Sequence, residues 1–131
     1  MFLIDTNIAI HLRDGFEPVL DKVAEHRDAV AISALSLAEL QRGLYKSPQH
    51  WAVRRVRLAT ILRSIPVLPF DATAAEAYGH IIAQIGWVKG RDFDRMIAAH
   101  AISSGRNLVT ANTADFADVP GLTVENWTVG A

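Results

Sequence analysis

Cysteine is missing from all 131 residues. Its absence excludes a thiol nucleophile, a thiolate zinc site and any disulfide, and it is compatible with a reducing compartment. Long apolar runs are missing too: the longest, residues 29–38, is broken by Ser33 and Ser36 and falls well short of the roughly 20 residues that cross a bilayer. Met1-Phe2-Leu3-Ile4 passes directly to Asp5, without the basic start and apolar stretch of about 7–15 residues that mark a signal peptide. A cytoplasmic protein without membrane contact is expected. Neither sign of charge dominates, since 13 Lys and Arg against 14 Asp and Glu leave a net charge of -1. No global field therefore argues for nucleic acid, although a balanced total can hide a local basic surface. The 5 prolines and 8 glycines are scattered, and with no repeat, linker or low-complexity tract the expectation is one domain over residues 1–131.

What is present is alternation. Phe2-Leu3-Ile4 reads as a buried strand handing over to a helix near Asn7, and Val30-Ala31-Ile32 as a second strand followed by a helix from about Ser36 to Tyr45. Further helices are expected from Trp51 to about Ser64 and from Asp71-Ala72-Thr73 onward, where Thr73 and Glu76 have capping-box spacing. Asp92 to about Ser103 is apolar nearly all round and reads as a buried helix. Pro66 to Phe70, Leu108 to Thr110 and Leu122 to Val124 complete the strands. This order predicts an α/β fold, a central parallel β-sheet of four or five strands with α-helices on both faces.

Asp5, Glu39, Asp94 and Asp115 each stand in or beside an apolar stretch. Charge is costly there, and a carboxylate near a packed core must be hydrogen-bonded, paired or bound to a metal. Each has an ordinary structural reading. Asp5 can cap the first helix, Ser36 and Glu39 fit a capping box, and Asp92 can cap the helix whose first turn holds Asp94. Asp115 can be a loop acid anchored by Phe116. Taken together, four acids that follow strands suggest one site at the carboxyl edge of the sheet. Hard divalent cations such as Mg²⁺ or Mn²⁺ take oxygen ligands of this kind, polarise phosphoryl oxygens and acidify bound water, which is what phosphodiester hydrolysis uses.

The segments Leu3-Ile4-Asp5-Thr6-Asn7, Ser36-Leu37-Ala38-Glu39-Leu40, Asp94-Arg95-Met96-Ile97-Ala98-Ala99-His100-Ala101 and Leu108-Val109-Thr110-Ala111-Asn112-Thr113-Ala114-Asp115-Phe116 also carry a resemblance. In order and spacing the chain resembles the PIN-domain family, in its VapC toxin branch, from Leu3 to about Trp127. The resemblance implies a Mg²⁺- or Mn²⁺-dependent endoribonuclease, the toxin of a bacterial toxin–antitoxin pair that cleaves RNA and so inhibits translation and growth. It implies a homodimer and a VapB-type antitoxin whose basic C-terminal segment enters the acidic pocket. The family's acidic positions fall on Asp5, Glu39, Asp94 and Asp115, with Asp5 and Asp94 as metal ligands and Thr6, Thr110 and Asn112 as supporting polar groups. One departure stands before Asp94, where relatives often carry a Gly-Pro-type turn and this chain has Gly90-Arg91-Asp92-Phe93.

Arg42, Lys46, Lys89 and Arg91 lie nearest the acids in sequence and are the candidate contacts to RNA phosphates. Arg54, Arg55, Arg57 and Arg63 form an arginine-rich helix face opposite Val53, Val56, Ile61 and Leu62. The histidines share no metal-ligand spacing, His100 reads as a hydrogen-bonded core residue, and Trp51, Trp87 and Trp127 read as packing residues. Two other functions compete with this reading. A phosphatase with an aspartate nucleophile needs a second Asp where this chain has Asn7. A non-catalytic module whose acidic pocket binds an arginine-bearing peptide differs from the nuclease by making no cut in RNA.

Overall fold

The computed structural model describes residues 1–129. Five strands, β1 (Phe2–Ile4), β2 (Val30–Ser33), β3 (Val67–Leu68), β4 (Asn107–Val109) and β5 (Val124–Glu125), form one sheet in the order β3-β2-β1-β4-β5, with every pairing parallel. Six helices connect them: α1 (Thr6–Arg13), α2 (Glu17–Glu25), α3 (Ala34–Lys46), α4 (Trp51–Ser64), α5 (Ala72–Ile85) and α6 (Asp92–Ser103). Side chains alternate across a strand, and the two faces of the sheet carry separate cores. Ile4, Val30, Ile32 and Val109 pack on the side of α1 to α4, with Ile8, Leu40, Leu58 and the buried Trp127. Leu3, Ala31 and Leu108 face α5 and α6 through Ile81, Ile97, Ala98 and Ala101. Both faces are covered, as a parallel sheet requires.

Several local expectations are corrected. Helix α2 was not foreseen in the sequence; its signal is Pro18 just inside the start, where a missing N–H costs nothing. Helix α3 begins at Ala34, because the hydroxyl of Ser33 accepts from the Leu35 N–H at 3.1 Å. Ser36 is therefore buried inside the first turn and forms no capping box with Glu39. Similarly, Asp71 rather than Thr73 caps α5, accepting from the Ala74 N–H at 2.9 Å. In both helices a competent cap stood a few residues earlier, and the first one closes the turn. Strand β3 is shorter than expected because Pro66 and Pro69 flank it and have no N–H for the ladder. Strand β5 sits at Val124–Glu125, fixed by Leu108 opposite Val124 and Val109 opposite Glu125; a short apolar run does not by itself encode register.

Candidate active site

Strand β1 lies in the middle of the sheet, and the chain leaves it first toward β2 and β3 and later returns on its other side as β4. The carboxyl ends of β1 and β4 therefore flank the point where strand order reverses, the place where open parallel sheets bind ligands. Asp5 is the first residue past β1. Its N–H still bonds the Val109 carbonyl at 3.0 Å, and its Oδ1 accepts from the Ile8 N–H at 2.9 Å. The cap reading of Asp5 holds, and the carboxylate that starts α1 also lines the cleft.

The other acids arrive on three separate elements. Glu39 stands on α3, and its Oε1 accepts from the Thr6 hydroxyl at 2.6 Å. Asp94 lies in the first turn of α6, where the positive end of the helix dipole favours a carboxylate. Asp115 is on the short 3₁₀ turn Thr113–Phe116 after β4, anchored by the buried Phe116. The turn itself is shaped by fully buried Thr110, whose hydroxyl accepts from the Asn112 N–H at 3.0 Å.

All four acids line one cleft of about 400 Å³, together with Thr6, Asn112, Arg42 and Lys46 and an apolar floor of Phe93, Ile97 and Phe116. Their charges are mutually felt. Burial pushes the Asp94 carboxyl above the usual carboxylate range, the charges of Asp115 and Glu39 push it further, and Arg91 and Arg95 oppose them. Asp5 is also raised, first by burial and in smaller part by Asp94, against the hydrogen bonds from Thr110 and the Ile8 N–H. Such a set of oxygen donors with excess negative charge suits a hard divalent cation. Among the described residues no three Asp, Glu or His side chains close into a ready-made cage, and Mg²⁺ is commonly held by one or two carboxylates with water and substrate filling its shell.

Not every candidate lies where expected. Lys89 is exposed on the loop between α5 and α6 and does not line the cleft, while Arg91 borders it, its Nη1 3.9 Å from Asp115 Oδ1 and donating to the Asp115 carbonyl at 3.3 Å. Asp92 does not cap α6; its carboxylate accepts from the Tyr78 hydroxyl and the Trp87 indole N–H. Val53 and Val56, expected on the packed face of α4, are 55% and 66% exposed, while Ile61 and Leu62 pack there as expected, joined by Leu58. Trp87 is 60% exposed rather than packed, whereas Trp127 is buried. His100 is a core residue as expected, its Nδ1 2.8 Å from the Ser33 hydroxyl and its pKa lowered, mainly by burial. Asn7, Ile10 and Gly43 also line the cleft and were not expected there. Asn7 was legible, since it follows the first acid by two positions at the opening of a helix; Gly43 carried no signal.

The PIN domain model matches residues 2–122. The chain is 37% identical to the tRNA(fMet)-specific endonuclease VapC of Shigella flexneri, covering 96% of this chain and 97% of that one. It is 32% identical to ribonuclease VapC2 of Rickettsia felis, covering 97% and 98%. Among solved structures, VapBC2 of Rickettsia felis bound to a DNA fragment from its promoter matches with a TM-score of 0.85 and 30% identity over 96% of this chain and 98% of that one. DNA-bound VapBC of Salmonella typhimurium also matches with a TM-score of 0.85, at 29% identity over 96% and 97%. With its strand order, its acidic cleft and relatives matched over nearly their whole length, the chain belongs to the PIN-domain family, in the VapC branch.

Proposed function

We propose that this protein is a divalent-metal-dependent endoribonuclease, the toxin of a VapBC-type toxin–antitoxin pair, which hydrolyses RNA phosphodiester bonds and so inhibits translation and growth. The observation that carries the proposal is the meeting of Asp5, Glu39, Asp94 and Asp115 in one cleft, from elements as far apart as β1 and the turn after β4. The names of the relatives, ribonuclease and tRNA endonuclease, support the same reaction class.

Asp5 and Asp94 would hold Mg²⁺ or Mn²⁺. When bound, the ion polarises the phosphoryl group and lowers the pKa of coordinated water. The remaining roles belong to side chains of this chain. Thr6 fixes the Glu39 carboxylate through its hydroxyl, so that Glu39 presents one oxygen to the cleft in a set direction. Asp115, steered by Arg91, orients water on the opposite wall. Thr110 and Asn112 shape the turn that carries Asp115, and Arg42 and Lys46 on the rim of α3 meet RNA phosphates. No histidine lines the cleft among the described residues, so proton transfer falls to carboxylates and water.

The partner is a VapB-type antitoxin whose basic C-terminal segment occupies the acidic cleft, giving a hetero-oligomer built on a homodimer of this chain. Solved relatives described as VapBC complexes support that assignment. Among the described residues no helix is long and apolar enough to cross a membrane.

The test is to incubate purified protein with total RNA in Mn²⁺ and in excess chelator, then map new ends. Cleavage that requires the ion and disappears in Asp94→Asn is the expected result. Cleavage undiminished by chelator sinks the metal assignment. No cleavage with either ion, together with binding of an arginine-bearing peptide in the cleft, would make the protein a non-catalytic binding module.

A further inference from the structure

The loop between α5 and α6, residues 86–91, holds an indole in an unusual way. Trp87 is 60% exposed, and its neighbour Val88 is 46% exposed. The ring and its aliphatic neighbour together offer apolar surface that a ligand can cover. Yet this ring is not loose. Its Nε1 donates to Asp92 Oδ1 at 2.9 Å, and the same oxygen receives the hydroxyl of Tyr78 from α5. Asp92 contributes no cap to α6, because Arg91 occupies that position. Its carboxylate instead anchors the loop to the helix before it.

The backbone fixes the same arrangement from both ends. Gly86 stops α5 with φ 83° and ψ 162°, a conformation open essentially to glycine alone. Gly90 has φ 85°, and the Arg91 N–H closes the turn on the Val88 carbonyl at 3.1 Å. At its far end the loop is tied to the acidic cleft, since Arg91 donates to the Asp115 carbonyl at 3.3 Å. Asp92 itself is two residues from Asp94, about 3 Å of helix rise.

Three properties of this loop combine. The one polar atom of the indole is already satisfied by the protein, so what Trp87 offers to a ligand is carbon π surface. Its orientation is fixed before any ligand arrives, which removes part of the ordering cost of binding. Its own loop supplies two cations, Lys89 and Arg91. Aromatic surface interleaved with cations is the chemistry that binds single-stranded nucleic acid, with bases stacking on rings and phosphates meeting Lys and Arg.

Resting on the ribonuclease reading above, we propose that Trp87 is a stacking platform for an unpaired base of the RNA next to the scissile phosphate, and that Asp92 is the positioning residue that holds it. In this arrangement Lys89, which misses the cleft, meets the backbone of the same flanking nucleotides.

Two measurements test this. The first is cleavage in Mn²⁺ of a short unstructured oligoribonucleotide of mixed sequence. Trp87→Ala raises KM about tenfold, the scale of one lost base–aromatic stack, with kcat nearly unchanged, while Trp87→Phe keeps most of the affinity. Asp92→Ala raises KM by less than Trp87→Ala, and the double variant is no worse than Trp87→Ala alone, because both act through one ring. The second is binding of the labelled oligoribonucleotide to the Asp94→Asn protein by fluorescence anisotropy, with an abasic nucleotide moved along the chain. The protein with Trp87 loses affinity when one particular base is missing, and the Trp87→Phe protein shows the same pattern. The Trp87→Ala protein is indifferent to that base. Circular dichroism checks that each variant is folded, and Trp87→Phe with the abasic series carries the test should Trp87→Ala fail to fold. An unchanged KM in folded Trp87→Ala, or identical abasic profiles with and without the ring, overturns the proposal. So does a Trp87→Ala protein that loses antitoxin binding and keeps RNA binding, which would make the ring a protein contact. A wild-type protein that binds the oligoribonucleotide through Trp87 and never cleaves it overturns the nuclease reading and leaves the platform standing.

Discussion

The Thr6 hydroxyl donates to Glu39 Oε1 at 2.6 Å across 33 residues of sequence. The contact joins the first turn of α1 to the second turn of α3 at the mouth of the cleft. It spends the threonine's one donor on a carboxylate that also lies 3.5 Å from the guanidinium of Arg42. Glu39 is thereby oriented before any cation or substrate arrives, and orientation of an acid by a neighbouring hydroxyl has a measurable signature.

Thr6→Val keeps the shape and removes the donor. It is expected to lower cleavage by about 10–100-fold, the scale of losing an outer hydrogen-bond partner around a metal site, while stability falls by only about 1 kcal/mol because the bond is partly exposed. Thr6→Ser should retain most activity. Steady-state cleavage together with urea melts decides the matter, and equal activity in Thr6→Val and wild type would remove Glu39 orientation from the mechanism.

Asp5 has two duties that substitution can separate. Asn caps helices about as well as Asp, so Asp5→Asn preserves the bond to the Ile8 N–H and should melt close to wild type. Asp5→Ala loses the cap and about 1 kcal/mol with it. Both variants should lose cleavage, because neither carries the charge. Retained cleavage in Asp5→Asn would reduce this residue to a helix cap.

For Asp94 the two effects run in opposite directions. Asp94→Asn removes a half-buried charge that Asp115 and Glu39 repel, so the metal-free protein should gain on the order of a few degrees in Tm. Cleavage should fall by at least about 100-fold, beyond the range typical of outer partners. The stabilisation that Mn²⁺ confers on the wild type by binding the native state should shrink in the variant. A variant that melts lower than wild type in chelator would contradict the repulsion.

The pH dependence of that gain carries a definite sign. Burial first, and neighbouring carboxylates second, raise Asp94 from its ordinary value of 3.8. The native state thus holds a proton that the unfolded chain has already released, and stability falls as pH climbs from 3.8 through the raised folded value. Other groups act oppositely: the Asp118 carboxyl is held low chiefly by its hydrogen bond from Arg95, and buried His100 resists protonation. Comparison with Asp94→Asn cancels them. Melts in chelator across a pH series should show the Tm gap between variant and wild type widening as pH rises through that window, and a gap independent of pH would refute the assignment.

Long-range architecture was legible in the sequence because its signals are redundant. Strands such as Phe2-Leu3-Ile4 and Val30-Ala31-Ile32 are apolar on both faces, each is followed by a helix, and such runs fit little besides a covered parallel sheet. The acids could be picked out for the same reason, as charges beside apolar segments. Local choices were less legible. Ser33 against Ser36 and Asp71 against Thr73 are competitions between equally good caps a few residues apart, and tertiary packing decides them. The roles of Asp92 and Trp87 were hidden because the Tyr78 hydroxyl that completes their network comes from 14 residues before Asp92, with no periodicity linking them. Gly43 enters the cleft only through the way α1 and α3 sit against each other.

The central place of β1 has a consequence during synthesis. Residues 2–4 are synthesised long before residues 107–109, one of their two partner strands. Until that late strand emerges, the edge of β1 that faces it has nothing to pair with, and the turn bearing Asp115 does not exist. Contacts so distant along the chain form only after long loops have closed. All four acids therefore share one cleft only after β4 has paired with β1 and carried the turn with Asp115 into place.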